Sequence, residues 1–525
     1  MPKIVVREFD KTTAVGAPYS NFTVVVPGFA KDSATCFDEN GIYECKNKDD
    51  FKDKVGFTSS TNHIVTHAAA PTFSSDWVSP HGISESEFDD LIQNGKLFFA
   101  VANESGKIGE YKDENYKYAQ AKLEDKATEY IFNEDVSGAP ATPFVELDDI
   151  GHDDIYASHY GKQIAYELLK MGYTVLYKKI TNLSDLSTDS FWKPLKDKTM
   201  YDFRYVMSGL LSGNREIYQK MLDVTAFNPE DPNKMKFDDV DPLSVGRGDC
   251  IALFDVDEEV YKGKDQESAI NAVVDFAENY IPKSKYAAVF APSVKYKEGS
   301  LSDINSFGGN QWFPASFHYL ACAARSSESF NEWYANAGYA RGISNYSIDT
   351  VGIKFGEAAV NMFQKRAAVI KDVNGEKETV LSISINPIIN LRGAYYLWGN
   401  RTAYELGDPE SETDGDLKAS HFLNIRQLCS TIKKQVYVTC RQSTFDPNSD
   451  ALWVKFCNSI KPMLEKMKAD QGIADYKILK VKNKNPRKAF LSAIIRIVPI
   501  EAVEDFEISV YLEDSLNGTI ANTEE

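Results

Sequence analysis

Two histidines four residues apart, His63 and His67, with His81 downstream, have the spacing that could set two metal ligands on one helix face. No glutamate completes an HExxH pattern and HIVTHAAAP is a weak helix at best, so no metal site is assigned there. The densest polar cluster is GHDDIYASH, with His152, Asp153, Asp154 and His159. Asp and His at a helix entry cap it more readily than they catalyse. Arg247-Gly248-Asp249 precedes an apolar run and reads as a turn. Seven cysteines (Cys36, Cys45, Cys250, Cys322, Cys429, Cys440, Cys457) are scattered, odd in number and never spaced as CxxC, which fits inert buried thiols in a reducing compartment. They lack a neighbouring histidine motif. No Walker A sequence, GxGxxG after a strand, kinase set or GxSxG elbow is present. The expectation is therefore no cofactor, no metal and no catalytic residue. An α/β enzyme of unknown reaction is the alternative in a different class.

The chain that would position these residues has 525 of them, enough for three or four domains at about 100 to 200 residues each. A formal charge of −19 argues against direct nucleic-acid binding, for which the phosphate backbone demands a basic surface. The distribution is uneven: residues 58–150 carry 17 Asp and Glu against 6 Lys, whereas residues 451–500 carry 11 Lys and Arg against 3 acids. Such asymmetry suggests faces with different surroundings. No window approaches the roughly 20 apolar residues that span a bilayer, and MPKIVVREFDKTT lacks a long apolar h-region, so membrane insertion is not expected and a cytoplasmic site of synthesis is.

Along the chain, Lys3–Phe9 reads as a strand followed by a linker, and Phe22–Val26 as a strand halted by Pro27-Gly28. Asp49–Phe57 reads as a helical turn, and residues 58–150 as an inserted acidic surface domain. The periodicity predicts a helix over Ile155–Leu169 feeding a strand at Thr174–Ile180. Strands at Cys250–Val256 and Tyr286–Pro292 flank a helix at Glu267–Tyr280, the alternation of a parallel α/β sheet. His421–Val438 then places Phe422, Ile425, Leu428, Cys429, Ile432 and Val436 on one helical stripe, leaving Arg426, Lys433 and Lys434 off it. A second helix over Ser449–Ala469 carries Leu452, Trp453, Phe456, Ile460, Leu464 and Met467, with Gly472 to end it and Pro462 to kink or break it. Strands are expected at Tyr476–Val481 and Phe490–Val498, and at Phe506–Leu512, where apolar and polar residues alternate strictly.

The order of these features resembles the contractile tail sheath family of bacteriophages, which includes sheaths of phage-tail-like bacteriocins and injection systems. The resemblance lies in Gly393, Trp398-Gly399 and Arg401-Thr402 within LRGAYYLWGNRT, in the helix after them, and in Phe445–Gly472 with Trp453 and Gly472. RGDCIALFD, FPASFHYLACAAR and the strand ending at Pro499 extend it over roughly residues 245–515, with SINPIINLRG departing from the usual run before the tryptophan.

The resemblance implies an α+β / α/β multidomain protein. Residues 1–20 would form a strand and linker belonging to the assembly domain, 21–57 and 151–350 a central α/β domain, 58–150 a variable inserted domain, 351–515 a C-terminal α+β assembly domain and 516–525 a disordered tail. It implies a homo-oligomer of hexameric rings stacked into a helical sheath around a tail tube protein, bounded by baseplate and tail terminator proteins. Such a sheath is part of the virion, is assembled in the bacterial host cytoplasm and contracts from a metastable extended state. Subunits would exchange strands through Ile4, Val5 and Val6 and through Phe506, Ile508, Val510 and Leu512. A basic patch of Lys455, Lys461, Lys466, Lys468, Lys482 and Lys484 would face the tube.

Overall fold

The computed structural model describes residues 23–56, 155–227, 246–297, 312–364, 383–405, 418–481 and 491–502, apart from positions 29, 31–33, 182, 211–213, 444 and 501. It also describes separate strands between 97 and 146 and between 369 and 380. The chain is α+β and multidomain, organised on a large central mixed sheet.

That sheet is built from β1 (Thr23–Gly28), β2 (Ile42–Cys45), β3 (Thr174–Lys179), β4 (Tyr205–Val206), β5 (Ile251–Asp255), β6 (Ala287–Ala291), β7 (Asn386–Leu391) and β8 (Ala394–Leu397), in the order β8-β7-β6-β5-β4-β1-β3-β2. The six inner strands run parallel and only the outermost pairings, β2 with β3 and β7 with β8, are antiparallel. Burial on both faces explains the unbroken apolar runs. Successive residues go to opposite sides: Ala252 and Phe254 into one core, Ile251 and Leu253 into the other.

The first core is covered by α2 (Arg215–Thr225), α3 (Gln266–Tyr280) and α5 (Glu357–Gln364). The second is covered by α1 (Ile155–Lys170) and α4 (Ala315–Ser327). The alternation expected over residues 250–292 is present as β5, α3 and β6, with β5 and β6 parallel. Strands Lys107–Tyr111, Ala119–Glu124 and Ala127–Phe132, inside the acidic 58–150 segment, form an antiparallel sheet separate from the central one.

Beyond the central sheet come α6 (Leu423–Gln442), α7 (Asp450–Ala469) and an antiparallel ribbon of β9 (Ile473–Val481) and β10 (Ser492–Pro499). Leu428 and Ile432 of α6, Phe456, Ile460, Leu464 and Met467 of α7 and Ile473 of β9 form a third core. Of the kink or break expected at Pro462, the break is absent: α7 runs through it, because the exposed ring costs one hydrogen bond while Ile460 and Leu464 on either side hold the helix to the core. The hairpin of β7 and β8, which the sequence reading groups with residues 351–515, is hydrogen-bonded into the central sheet through Phe290↔Asn386 and Ala291↔Pro387.

Candidate assembly site

The residues of LRGAYYLWGNRT form a clasp that fastens α6 to the central sheet. β7 turns into β8 through Arg392 (φ 53°) and Gly393 (φ 87°), a two-residue hairpin with both central residues left-handed, which is why glycine follows arginine there. Past β8, Trp398 N–H donates to the Pro387 carbonyl (2.8 Å), and its ring meets Tyr339 edge-on at 5.1 Å. Gly399 passes so close to β7 that a Cβ would stand 2.7 Å from Asn386 Oδ1. Asn386, fully buried, accepts from Arg401 N–H (2.7 Å) and donates to the carbonyls of Arg401 (2.8 Å) and Val289 (3.0 Å). Leaving such groups unpaired in a core costs about 1 to 3 kcal/mol each, so this side chain locks the crossing.

The next three residues hold the start of α6. The helix has no side-chain cap of its own at Phe422. Asn400 takes that role, its carbonyl accepting from Leu423 N–H (2.9 Å) and its Oδ1 from Asn424 N–H (3.1 Å), so two of the orphan donors of a helix start are satisfied from the sheet side. The Arg401 guanidinium lies 4.5 Å over the Phe422 ring. Thr402 donates from N–H to the His421 carbonyl and from Oγ1 to the Ser420 carbonyl, both at 2.8 Å. His421 is itself buried, and that burial holds its imidazole below the ordinary value. Asn386, Asn400 and His421 were not singled out from sequence; the available signal was an asparagine inside the apolar run ISINPII, where a buried amide must have partners.

Residues expected to lie off the stripe of α6 instead dock it. Arg426 Nη2 (3.4 Å) and Lys433 Nζ (2.8 Å) both reach the Gly248 carbonyl, and the Arg426 guanidinium stacks 4.6 Å over Tyr286. Lys434 Nζ donates to the Phe203 carbonyl (2.8 Å) and pairs with Asp202. Gln427 donates to the hydroxyls of Tyr205 (2.7 Å) and Tyr319. The Arg247-Gly248-Asp249 turn is thus a receptor for α6: Arg247 is buried, paired with Asp249 at 3.0 Å and stacked 4.3 Å from Phe203.

The far side of this unit is unlike the clasp. β9 and β10 pair only with each other among the described residues. Tyr476, Ile478, Ile495 and Ile497 pack inward, while Leu479 opposite Ile494 and Lys477 opposite Arg496 lie on the other face. Ile494 (45% exposed), Val498 (55%) and Ile500 (41%) stand out to solvent. Trp453 stacks on Phe456 at 5.7 Å, and Gly472 lies against the Trp333 indole, whose Nε1–H donates to the Asp470 carbonyl (3.0 Å).

Of the basic patch, Lys461 and Lys466 are exposed on α7. Lys455 and Lys468 are exposed too but already paired within the chain, with Asp446 (2.7 Å) and Asp475 (3.0 Å). Lys482 and Lys484 lie outside the described residues, as do Ile4, Val5, Val6, Phe506, Ile508, Val510 and Leu512.

Two buried groups have the composition of chemistry. Asp255, at the carboxyl end of β5, accepts from Ser316 N–H (2.7 Å) and Ser316 Oγ, and burial pushes its carboxyl up to about 7. It satisfies the first turn of α4, where Pro314 supplies no side-chain cap. On the same helix, His318 Nε2 lies 3.4 Å from Cys322 Sγ, with Tyr296 Oη at 2.8 Å from Nδ1. The absence of a neighbouring histidine motif in the sequence does not keep the two apart: positions four apart meet on one helix face. Burial lowers His318 to about 3 and raises the Cys322 thiol, so the pair is neutral, the opposite of the imidazolium–thiolate pair that activates a nucleophile. The seven cysteines form no disulfide among the described residues; the expectation of burial holds at Cys45, Cys250 and Cys322 but not at Cys36, Cys429 and Cys457, which are half-buried, or at Cys440, which is exposed.

His63, His67, His81, His152, Asp153 and Asp154 lie outside the described residues, and the side chain of His159 is not described. Among the described residues no group of His, Cys, Asp and Glu could hold a metal, and no helix is long and apolar enough to cross a membrane.

Comparison with known proteins finds no matching family model and no matching curated protein. Among solved structures the chain is similar to one in the anti-feeding prophage (AFP) baseplate, at 13% identity and TM-score 0.43 over 71% of this chain and 85% of that one. It is similar to one in the PVC sheath complex of an extracellular contractile injection system in its contracted state, at 11% identity and TM-score 0.47 over 98% of both chains. A third is a sheath tail protein from Desulfitobacterium hafniense, at 9% identity and TM-score 0.35 over 95% of this chain and 100% of that one. Two of these structures are of sheath proteins.

Proposed function

We propose that this chain is the structural, non-enzymatic subunit of a contractile tail sheath. It polymerises as stacked hexameric rings around a tail tube and contracts from a metastable extended state, driving the tube through the host envelope for genome ejection. The observation that carries the reading is the β9–β10 ribbon. Among the described residues this two-stranded sheet of nine and eight residues has two open edges, and its outward face holds Leu479, Ile494 and Val498. The segments Lys3–Phe9 and Phe506–Leu512 have the strand pattern to fill those edges from neighbouring subunits by β-augmentation. Charge supports the second pairing: residues 503–525 hold seven Asp and Glu and no Lys or Arg, opposite a ribbon face with Lys477 and Arg496.

In this reading the clasp of Gly393, Trp398, Gly399, Arg401 and Thr402 carries force between the central sheet and the exchanging ribbon. The exposed lysines of α7, Lys461 and Lys466 first, face the tube. Screened surface attractions are each worth about 0 to 1 kcal/mol, so that contact is easily broken ring by ring as the tube slides. The energy of contraction is stored in the lattice itself.

Negative-stain electron microscopy of the full-length chain tests this against two truncations, one lacking Met1–Phe9 and one ending before Phe506. Regular hollow tubes from the full chain and folded, unassembled subunits from both truncations are the expected result. Ordered tubes from either truncation would overturn exchange through that strand.

A further inference from the structure

Where α6 docks on the sheet, positive charge gathers that the chain does not neutralise. Tyr286, the residue before β6, is buried, and three cations converge on its ring: the Arg426 guanidinium at 4.6 Å, Lys433 Nζ at 5.5 Å and Lys285 Nζ at 5.6 Å. The cations beside them have carboxylates, Arg247 with Asp249 (3.0 Å) and Lys434 with Asp202. Among the described residues Lys285, Arg426 and Lys433 form no ion pair. The face of one tyrosine is a weak stand-in for three counter-charges.

Their hydrogen bonding is as thin. Arg426 Nη2 (3.4 Å) and Lys433 Nζ (2.8 Å) share the Gly248 carbonyl, and Lys285 Nζ donates to no protein group. Arg426 is only 7% exposed, yet its buried Nε has no acceptor, and a buried donor of that kind calls for a partner from outside the chain. Burial first, and the Arg426 guanidinium second, push the Lys433 ammonium down to about 8 and lower that of Lys285. Lys433 is exposed along its stem and Lys285 is half-buried, so the cluster is open to solvent. The donors come from two segments, a guanidinium and an ammonium from α6 and a second ammonium from the residue before β6. An anion that satisfies them needs acceptor oxygens facing several ways and more than one charge. A phosphate group has both, with about two charges and a tetrahedron of oxygens, whereas a carboxylate has one charge and acceptors in a single plane.

We propose that Lys285, Arg426 and Lys433 bind a phosphate-type oxyanion between α6 and the amino end of β6, which ties the helix to the central sheet. The site stands apart from the sheath reading and does not depend on it. Isothermal titration of the full-length chain with inorganic phosphate and, separately, with tripolyphosphate, at an ionic strength held constant with sodium chloride, tests it. The chains compared are the wild type, Lys285→Gln, Lys433→Gln and the control Lys354→Gln, an exposed lysine elsewhere. Wild type and control should bind saturably, and Lys285→Gln and Lys433→Gln should each bind about tenfold more weakly or worse, the loss of one charge-assisted hydrogen bond. Thermal unfolding supplies a readout that a merely structural lysine would not give. Because Lys285 has no protein acceptor to lose, Lys285→Gln should hold or raise the melting temperature in phosphate-free buffer, and phosphate should raise that of the wild type but not that of the variant.

A wild type that binds neither probe, a Lys285→Gln that binds as tightly as the wild type, an equal loss in Lys354→Gln, or a fall in the melting temperature of Lys285→Gln without phosphate would each overturn the site. Lysine-dependent binding of tripolyphosphate without binding of inorganic phosphate supports it and identifies the ligand as the phosphate chain of a larger molecule rather than the free ion.

Discussion

The central sheet and the β9–β10 ribbon use the same strand chemistry to opposite ends. In β5 every residue of IALFD is buried, and both faces are closed by helices of the same chain. In β10 every second residue packs against the third core, and the alternate ones, Ile494 and Val498, face solvent. The first has both faces covered by its own chain; the second, among the described residues, has one face covered and one open. Exposed apolar residues concentrate accordingly: of the twelve large ones among the described residues, eight lie between Tyr437 and Ile500.

The comparison can be broken most forcefully at Asn386. Asn386→Ala leaves the Arg401 N–H and the Val289 and Arg401 carbonyls without their partner inside the closed region, and should lower subunit stability by about 3 to 5 kcal/mol, read by urea denaturation. A loss under about 1 kcal/mol would mean that the clasp does not hold α6 to the sheet.

A second test uses pH. The Asp255 carboxyl ionises near pH 7 when folded, raised by burial from the ordinary carboxylate range near 4, so between these values the folded state holds a proton that the unfolded chain has released. Stability from this group is therefore greatest at the acid end, falls as pH rises from about 4 to 7 by up to about 1.4 kcal/mol per unit, and is level above. Asp255→Asn should flatten that slope in thermal melts while keeping an acceptor for Ser316. A slope that persists unchanged in the variant would place its origin elsewhere.

The smallest effect on the subunit sharpens the contrast from the other side. Ile494→Ser together with Val498→Ser touches only solvent-facing ribbon positions and should change subunit stability by no more than about 0.5 kcal/mol each, yet abolish tubes in micrographs. Loss of the fold would show that the outward face belongs to the subunit after all.

Much of the scaffold is legible in single residues. The unbroken runs CIALFDV and YAAVFAP announce strands buried on both faces, and the 3.6-residue spacing of Phe456, Ile460, Leu464 and Met467 announces α7 with its apolar stripe, Pro462 notwithstanding. Those features are local: a strand's alternation and a helix's stripe are set by the backbone period that each segment must adopt.

The clasp was visible only as a pattern of conspicuous residue types. That Gly399 is small because Asn386 passes above it, or that Asn400 caps a helix that begins 23 residues after it, depends on which segments the fold brings together. The same holds for His318 and Cys322, whose neutrality comes from surrounding burial, and for Arg426 and Lys433, which lie off the apolar stripe in the sequence and are docked on the Gly248 turn. Composition and periodicity by themselves determined the layers, the helical stripes and the opposed acidic and basic stretches, because these follow from the chain's own period and charge. Only the tertiary structure decided which polar groups are paired inside and which apolar residues, Phe445, Ile494 and Val498 among them, are left outside, because burial and hydrogen-bond satisfaction are properties of the assembled neighbours rather than of any residue alone.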